Sequence, residues 1–583
     1  MTRIRCNIVG CLALVGATVG SPACAQQQPE DSTGRAQNTL TIAKQQMVAA
    51  APPDAVAAGL EILRLGGSAA DAAIAVQLVL NLVEPQSSGI GGGAFALFHD
   101  AATDRTIAFD GRETAPIRVT PNLFMMSDGT PMKFEDATIG GRAVGAPGTL
   151  ALLARLFQAQ GKLTWSELFT PAIRLAQDGF IVGPRLAKLL AGDRAKRLRS
   201  FATARDYFYP GGEPLRAGSR KTNPEFAETL IAISEHGPSA FYTGPIAHDI
   251  IDAIRKTPKN PGQLSLTDLA TYEIIERAPV CHSYRAYLIC GMGPPSSGGL
   301  TVGQILGMLA HFDLPSMGAD NPQSWHLLAE ASKLAFADRN QFIADTDFVP
   351  VPEKGLLNPT YLTKRSELIR RETSILTPAA NGLPPGINQT IYAPNAQKSR
   401  PGTSHISIVD AAGNAISMTT TIEGAFGSQV MVRGFLLNNE LSDFSFLPAR
   451  NGLAVANRVE PRKRPRSSMA PTLVFNADGT LRLVIGSPGG SRIIGYVAKT
   501  LVANLDWDMD IQSAIDLGHV VNRNGATDFE AGTEAERLVP AFTALGHATR
   551  IRDLNSGLHG IEIVEGTLRG GADPRREGVA RGD

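Results

Sequence analysis

The stretch Gly402-Thr403-Ser404-His405-Ile406-Ser407-Ile408-Val409-Asp410 decides the fold. Residues 404–409 alternate between polar and apolar side chains, as a half-buried β-strand does. Residues 415–422, Ala-Ile-Ser-Met-Thr-Thr-Thr-Ile, are rich in β-branched side chains and predict a second strand. Gly413 lies in the short loop between them, where a left-handed backbone is needed. The sequence therefore predicts a β-hairpin.

The register of this hairpin brings two hydroxyl groups together. If residues 411–413 form the loop, Asp410 faces Asn414, and the pairing runs back until Thr403 faces Thr421. A threonine that follows a glycine at the start of a strand suggests a nucleophile freed by cleavage of the Gly402–Thr403 bond, with its new α-amine as general base. Most Gly-Thr pairs that enter a strand are ordinary turn exits, so this interpretation depends on other parts of the chain.

The N-terminus has the pattern of a secretory signal peptide. Arg3 and Arg5 precede an uncharged, apolar or small stretch at residues 8–20, and Ala23-Cys24-Ala25 resembles a cleavage site before Gln26. A membrane anchor would need about 20 apolar residues. Lipid attachment at Cys24 is poorly supported by the residues before it, Ser21 and Pro22. We therefore expect residues 1–25 to be removed and the protein to be periplasmic or secreted.

The mature chain would keep two of the five cysteines, Cys281 and Cys290. Residues 280–283 and 287–290 are candidate strands around a turn, and that register would pair the two cysteines. An oxidising compartment permits a disulfide, but two unlinked thiols fit the sequence equally well. No His-Glu-x-x-His motif occurs and the ten histidines are scattered, so we expect no metal.

Composition indicates a large globular protein. Formal net charge is zero and 19% of residues are charged, which argues against nucleic-acid or membrane-surface binding. Hydrophobic residues make up 43% of the chain and support a large core. Length alone would suggest several domains, but we expect one intertwined body. Helices are predicted at 54–65, 69–83, 149–159, 165–178, 224–237, 300–312 and 324–345.

Two glycine-rich segments resemble phosphate-binding loops without fitting that role. Residues 85–93 follow a predicted helix and open a strand, which is the reverse of a nucleotide-binding loop. Residues 486–492 lack the Lys-Ser/Thr ending of a P-loop. The pair Gly489-Gly490 precedes a predicted helix at 493–505, however, and its backbone amides are candidates for an oxyanion hole. We therefore expect no nucleotide and no other cofactor.

Charged and hydroxyl side chains suggest a binding site for a zwitterion. Arg112 stands where a strand gives way to a loop, and its planar fork suits a carboxylate. Glu440 and Asp443 lie three residues apart in a polar turn and would suit an ammonium group. The pair Ser467-Ser468 supplies hydroxyl donors. It follows a short basic run at 462–466, which we interpret as a solvated face.

The order of these motifs resembles that of bacterial γ-glutamyltranspeptidases (γ-glutamyltransferases) over essentially the whole mature length. The motifs are Gly91-Gly92-Gly93, Arg112-Glu113, residues 294–299, residues 402–405, Asn438-Asn439, Ser467-Ser468-Met469 and residues 486–492. The resemblance implies an α/β fold, the αββα sandwich of the N-terminal-nucleophile hydrolases. It also implies a proenzyme that cuts itself into a large subunit, residues 26–402, and a small subunit, residues 403–583, which pair as a heterodimer.

The resemblance also implies the site residues. Thr403 would be the nucleophile and Thr421 its hydrogen-bonding neighbour, in agreement with the hairpin register. The substrate's α-amino group would be bound by Glu423, Glu440 and Asp443, its α-carboxylate by Arg112, Ser467 and Ser468, and the oxyanion by Gly489 and Gly490. Two features depart from the family pattern: Arg466 stands where a leucine is usual, and residues 444–466 contain no tyrosine for the aromatic lid of some members.

The implied activity is cleavage of glutathione and other γ-glutamyl amides through a γ-glutamyl-Thr403 ester, with transfer to water, amino acids or peptides. A cephalosporin (glutaryl) acylase with the same chemistry is the nearest alternative. An inactive periplasmic binding homologue is a third, which the intact set of Thr403, Thr421, Gly489 and Gly490 disfavours.

Overall fold

The computed structural model describes residues 34–193, 195–387, 392–395 and 402–583. The predicted signal peptide lies outside these ranges, as does part of the polar run before Thr403. The described chain is built on two antiparallel sheets of seven strands each. No helix in the described ranges is long and apolar enough to cross a bilayer.

The first sheet contains the predicted hairpin at its centre. In spatial order its strands are Val579–Gly582, Met47–Ala50, Thr403–Val409, Ala415–Thr421, Gly93–Asp100, Arg105–Gly111 and Ile275–Arg277. The second sheet faces it. Its strands are, in spatial order, Thr41–Ala43, Thr567–Ala572, His559–Val564, Leu481–Gly486, Thr472–Phe475, Tyr287–Gly291 and Val280–Tyr284.

The hairpin has the predicted register. Thr403 pairs with Thr421 and Val409 with Ala415, and the amide of Asp410 donates to the carbonyl of Asn414 at 3.0 Å. Gly413 has φ 84°, the left-handed conformation expected of it. Both hairpin strands have a further partner strand. The two threonines therefore lie at one end of the most interior strands of the sheet.

Helices cover the outer face of each sheet. Pro53–Arg64 and Ala69–Val83 pack on the first sheet, while Gly298–Leu309 and Ile493–Leu505 pack on the second. Apolar side chains of the two inner faces, such as Phe95 and Val484, fill the space between the sheets. This four-layer arrangement confirms the predicted αββα sandwich.

Local sequence explains the most deeply buried helix. Ser68 and Asp71 form a reciprocal capping box at the start of Ala69–Val83, which satisfies amide groups that a helix N-terminus leaves free. Every residue of that helix is buried, and five of its fifteen are alanine. Small side chains on all sides allow the helix to lie close to the sheet and to its neighbours.

The remaining regular elements surround these layers. The other α-helices are Phe134–Ala137, Thr149–Gln160, Thr170–Asp178, Pro184–Ala191, Ala202–Phe208, Pro224–His236, Ser239–Tyr242, Pro245–Arg255, Leu266–Ala270, Leu314–Met317, Pro322–Phe342, Glu353–Leu356, Pro359–Ser366, Ile511–Asp516 and Val539–Ala544. A three-stranded sheet contains Val520–Val521, Thr527–Glu530 and Thr549–Arg552. The predicted helix at 165–178 begins instead as a 3-10 turn, Trp165–Phe169, before the α-helix starts at Thr170.

Both sheets contain strands from before and from after Gly402. The prediction of one intertwined body is therefore confirmed. The structure also decides the open question about the cysteines. Cys281 and Cys290 face each other across two neighbouring strands and are joined by a disulfide.

Candidate active site

A small pocket opens at the threonine end of the hairpin. Thr403 and Thr421 are 4% and 3% exposed. The residues lining the pocket are Arg112, Thr403, Thr421, Glu423, Glu440, Asp443, Ser467, Ser468, Met469, Gly490 and Ile493. The structure thus brings together nearly every residue that the sequence predicted for the site. Gly489 precedes Gly490 and does not itself line the pocket.

Thr421 contacts the bond that would be cut. Its hydroxyl donates to the carbonyl oxygen of Gly402 at 2.5 Å, and its own oxygen accepts from the amide of Glu423 at 2.8 Å. The carbonyl before Thr403 is thereby polarised by a hydroxyl that is itself oriented by a backbone donor. A side chain at Gly402 would collide with the carbonyl oxygen of Glu423, so the close packing here requires glycine.

Arg112 is held by protein groups on almost every side. It follows the strand Arg105–Gly111, and its side chain is 1% exposed. Its Nη2 donates to Asp443 at 2.8 Å, its Nη1 to Glu440, and its Nε to the carbonyl of Pro465 at 3.1 Å. With a longer contact from Nη2 to the carbonyl of Arg466, four of its five N–H groups are used. Nη1 also lies 3.9 Å from the Glu113 carboxylate.

Carboxyl groups outnumber this guanidinium. Glu113, Glu440 and Asp443 all lie within 4 Å of Arg112. Burial, opposed by Arg112 and assisted by Asp443, raises the pKa of Glu440 to about 7. Burial and the neighbouring Glu440 hold the pKa of Glu113 well above its usual range, and burial also raises that of Asp443. The cluster therefore favours an added positive charge.

The serine pair forms a wall of the pocket. Ser297 holds the carbonyl of Ser467 through its amide at 2.9 Å and its hydroxyl at 2.7 Å. Arg339 donates through Nη2 to the Ser468 hydroxyl oxygen at 2.6 Å and through Nε to the Ser297 hydroxyl at 2.8 Å. Because the Ser468 oxygen accepts from a cation, its hydrogen is free to point into the pocket. This wall is suited to a carboxylate.

The glycine pair supplies backbone donors. Gly489 has φ 137° and Gly490 φ 59°, where the strand Leu481–Gly486 gives way to the helix Ile493–Leu505. A Cβ on Gly489 would lie 2.7 Å from the Tyr496 ring, so the turn needs glycine for space as well as for conformation. Within the described ranges, neither backbone N–H of the pair donates to another residue. Gly490 lines the pocket, so its N–H can reach an oxyanion formed there.

The basic run at 462–466 is not a solvated face, and that interpretation was wrong. Only Arg462 of its four basic residues is exposed; Lys463, Arg464 and Arg466 are buried. Arg466 Nη1 donates to the carbonyl of Arg339 at 3.1 Å, at the end of the helix Pro322–Phe342. Backbone carbonyls at a helix end attract such donors. Arg466 therefore braces the helix that carries Arg339, and it does not line the pocket.

A separate cluster has the composition of a metal site. Ligand atoms of His326, Glu330 and His547 lie within 4.8 Å of one another. Hydrogen bonds already link His326 to His547 at 2.8 Å and to the carbonyl of Arg370 at 2.7 Å, and Lys333 Nζ lies 2.7 Å from Glu330. The ammonium group and the satisfied imidazoles indicate a structural network in the core.

Sequence reasoning missed three residues at the site. Glu113 follows Arg112 directly. The available signal was this carboxylate next to the arginine in the Arg112-Glu113 motif. Arg339 sits in a long helix, where a cation gives no signal. Arg576, near the C-terminus, donates from Nη1 to the carbonyl of Thr403 at 3.0 Å, a contact between residues 173 apart in the chain.

The αββα sandwich, with a Gly-Thr junction at the head of a central strand, defines the N-terminal-nucleophile hydrolase class. Comparison with known proteins identifies the family within that class. The profile described as Gamma-glutamyltranspeptidase matches residues 55–582. The glutathione hydrolase proenzyme of Bacillus subtilis (strain 168) is 36% identical over 555 residues, which cover 93% of this chain and 92% of that protein. The chain belongs to the γ-glutamyltranspeptidase family.

Acylases are also similar to this chain. The acylase ACY 1 proenzyme of Pseudomonas sp. (strain SE83) is 33% identical over 542 residues, covering 91% of this chain and 92% of the relative. A crystal structure of cephalosporin acylase from Bacillus halodurans superposes with a TM-score of 0.82 at 26% identity, covering 94% and 97% of the two chains. The fold is therefore common to relatives with either name, and the pocket must distinguish the two activities.

Proposed function

We propose that this enzyme is a γ-glutamyltranspeptidase and glutathione hydrolase that uses Thr403 as an N-terminal nucleophile. The observation that carries the proposal is the polarity of the pocket. The pocket is lined by the carboxyl groups of Glu423, Glu440 and Asp443 and by the Ser467-Ser468 pair, of which Ser468 accepts a hydrogen bond from Arg339. A γ-glutamyl group carries an ammonium and a carboxylate on one carbon, and this pocket offers partners for both.

Self-cleavage would prepare the enzyme. Thr403 Oγ attacks the carbonyl carbon of Gly402, and the Thr421 hydroxyl stabilises the oxygen that becomes negative. The C–N bond breaks as the Thr403 nitrogen takes up a proton, which leaves Gly402 esterified to Oγ. Water hydrolyses this ester, giving a carboxylate at Gly402 and a free amine at Thr403. Residues 26–402 and 403–583 would then remain together as an intertwined heterodimer.

The mature enzyme would perform acyl transfer in two halves. The Thr403 amine takes the proton from Oγ, which attacks the γ-carbonyl carbon of the donor. The backbone amides of Gly489 and Gly490 stabilise the oxyanion. The amine then protonates the leaving nitrogen, for glutathione that of its cysteinyl-glycine portion. Water, or the amine of an amino acid or peptide, resolves the ester by the reverse sequence.

The substrate's head group would be held away from the reacting bond. Its ammonium enters the carboxyl cluster, where it favours the ionised forms of carboxyl groups whose pKa values burial raises. Its carboxylate takes the hydroxyl hydrogens of Ser467 and Ser468 and is attracted by the charge of Arg112. Because the cluster already exists without substrate, little reorganisation is needed to bind this group.

Cleavage of a glutaryl side chain is the second candidate, favoured by the similarity to acylases. A glutaryl group has the carboxylate but no ammonium, so Glu440 and Asp443 would face no positive charge from it. The deciding experiment measures kcat/KM on γ-glutamyl and glutaryl p-nitroanilides with purified processed protein, with and without glycylglycine. We expect γ-glutamyl turnover to dominate and to rise with glycylglycine. A preference for the glutaryl anilide would transfer the assignment to the acylases.

Export is part of the proposal. The N-terminal pattern described above leads us to expect a mature protein that starts near Gln26 in the periplasm or outside the cell. N-terminal sequencing of fractionated cells tests this, and a cytoplasmic protein that retains Met1 and its apolar segment would contradict it.

A further inference from the structure

Arg576 contacts the nucleophile's own main chain, and the mechanism above does not use it. Its Nη1 donates to the carbonyl oxygen of Thr403 at 3.0 Å. The residue is 3% exposed, and its Nε donates to the carbonyl of Ser556 at 2.7 Å. A Cβ on Gly557 would lie 2.8 Å from the Arg576 side chain, so a glycine leaves room for it. The guanidinium is therefore held in one place.

The Thr403 carbonyl needs such a donor. The strand Met47–Ala50 pairs with the nucleophile strand only at residues 407–409. Thr403 stands beyond that paired segment, at the strand end that opens into the pocket. Arg576 supplies a hydrogen bond where the neighbouring strand supplies none, and it brings a full positive charge with it.

We propose that Arg576 is a positioning residue for the nucleophile, one that fixes the Thr403 carbonyl and keeps a positive charge beside the α-amine exposed by cleavage. The inference rests on the proposed function, because that amine exists only after the Gly402–Thr403 bond is cut. The carbonyl and the amine belong to the same residue. A charge bound to one therefore lies within a few ångströms of the other.

The consequence concerns the general base. A nearby cation disfavours the ammonium form and lowers the pKa of the amine. An unperturbed α-amino group titrates at about 7.7–8.0, and only its neutral form can accept the proton of Oγ. Arg576 would thus extend activity toward lower pH.

Other charged groups act on the same amine. Carboxylates across the pocket favour the ammonium form and oppose Arg576, so the effect is defined as the change on removing Arg576. His405, on the same strand, has a pKa held well below its usual range by burial and by His559, and it stays neutral. The charged groups that face Thr403 are Glu423, Glu440, Asp443 and Arg112 in the pocket, and Glu84, paired with Arg185, behind Ser404.

The test compares Arg576→Gln and Arg576→Lys with the wild type, using processed protein and the pH dependence of kcat/KM for γ-glutamyl p-nitroanilide. We expect the midpoint of the acid limb to rise by about one pH unit in Arg576→Gln. In Arg576→Lys, which keeps the charge, the midpoint should stay close to that of the wild type. Arg581→Gln, an exposed arginine of the last strand, is the control and should change neither midpoint nor rate.

A uniform loss of rate at every pH, without a shift of the midpoint, would overturn the proposal and leave Arg576 a structural role. If Arg576→Gln is not processed, Arg576→His replaces it, because an imidazole loses its charge near pH 6.5. A midpoint raised above that of the wild type supports the proposal, and an unchanged midpoint contradicts it. If the wild type cleaves only glutaryl anilide, the proposed function fails. The same pH series on glutaryl anilide then tests Arg576 independently, because both reactions use the same base.

Discussion

Replacing Asp443 by asparagine tests how the pocket recognises its substrate. The substitution keeps the size of the side chain and an oxygen that can accept from Arg112, now at 2.8 Å. It removes one negative charge from a cluster in which Glu113 and Glu440 also surround Arg112. The substrate's ammonium would lose an ionic partner, while the nucleophile and the glycine pair would remain as they are.

The expected loss of kcat/KM in Asp443→Asn follows from the charges in the cluster. An ammonium and a carboxylate about 3 Å apart attract by roughly 5 kcal/mol at an effective dielectric constant of 20. Part of this loss is offset, because removing Asp443 allows Glu440, whose pKa is raised to about 7, to ionise more fully. We therefore expect a net loss of about 2–4 kcal/mol, which lowers kcat/KM for γ-glutamyl p-nitroanilide by about 10²-fold.

The assay compares γ-glutamyl with glutaryl p-nitroanilide at one pH. Asp443→Asn should leave self-cleavage intact and should change glutaryl turnover little, or raise it. Asp506→Asn is a matched control, since it alters a buried aspartate paired with Arg285 at 3.1 Å and outside the pocket. That control should lower stability without changing the ratio of the two activities. Unchanged γ-glutamyl turnover in Asp443→Asn would refute the assignment of the ammonium site.

Three further predictions follow from the site. Thr421→Val removes the hydroxyl bound to the Gly402 carbonyl and should slow self-cleavage by about 10²-fold or more, in a time course of intact mass; cleavage at the normal rate would contradict this. Native Glu440 keeps its proton to about pH 7 while an unfolded glutamate loses it near 4.5, so its contribution to stability falls as pH rises between these values. Glu440→Gln should therefore raise Tm by about 2 °C at pH 8 and change it little at pH 4. An equal change in Tm at the two pH values would contradict the raised pKa of Glu440 as its cause. Cys281→Ser should leave the ratio of γ-glutamyl to glutaryl turnover unchanged, since the disulfide lies outside the pocket.

The hairpin shows what local sequence can determine. Strand alternation and one glycine in the loop were enough to predict that Thr403 faces Thr421, because side chains in paired strands repeat every two residues and the loop sets the register. The same logic identified the glycine turn before the helix Ile493–Leu505. The family resemblance then supplied the pocket residues, and the structure gathers them around the nucleophile.

Contacts between segments that are distant in the chain could not be predicted from the sequence. The run at 462–466 looked solvated because charge alone gives no information about burial, yet Arg466 is bound by carbonyls of a helix more than a hundred residues earlier. Arg339 and Arg576 reach the site in the same way. The sequence left the disulfide between Cys281 and Cys290 undecided, because the pairing depends on the geometry of the turn between the two strands. The spacing of the cysteines alone does not determine that geometry.

The central claim is that cleavage makes Thr403 an N-terminal nucleophile for γ-glutamyl transfer. The most direct measurement is the intact mass of purified wild-type enzyme, quenched in acid during turnover of γ-glutamyl p-nitroanilide. We predict two chains, the smaller beginning at Thr403 and carrying one added γ-glutamyl group on that residue, with a single unmodified chain for Thr403→Ala. A fully active wild type that remains uncleaved, or an acyl group on another residue, would contradict the account.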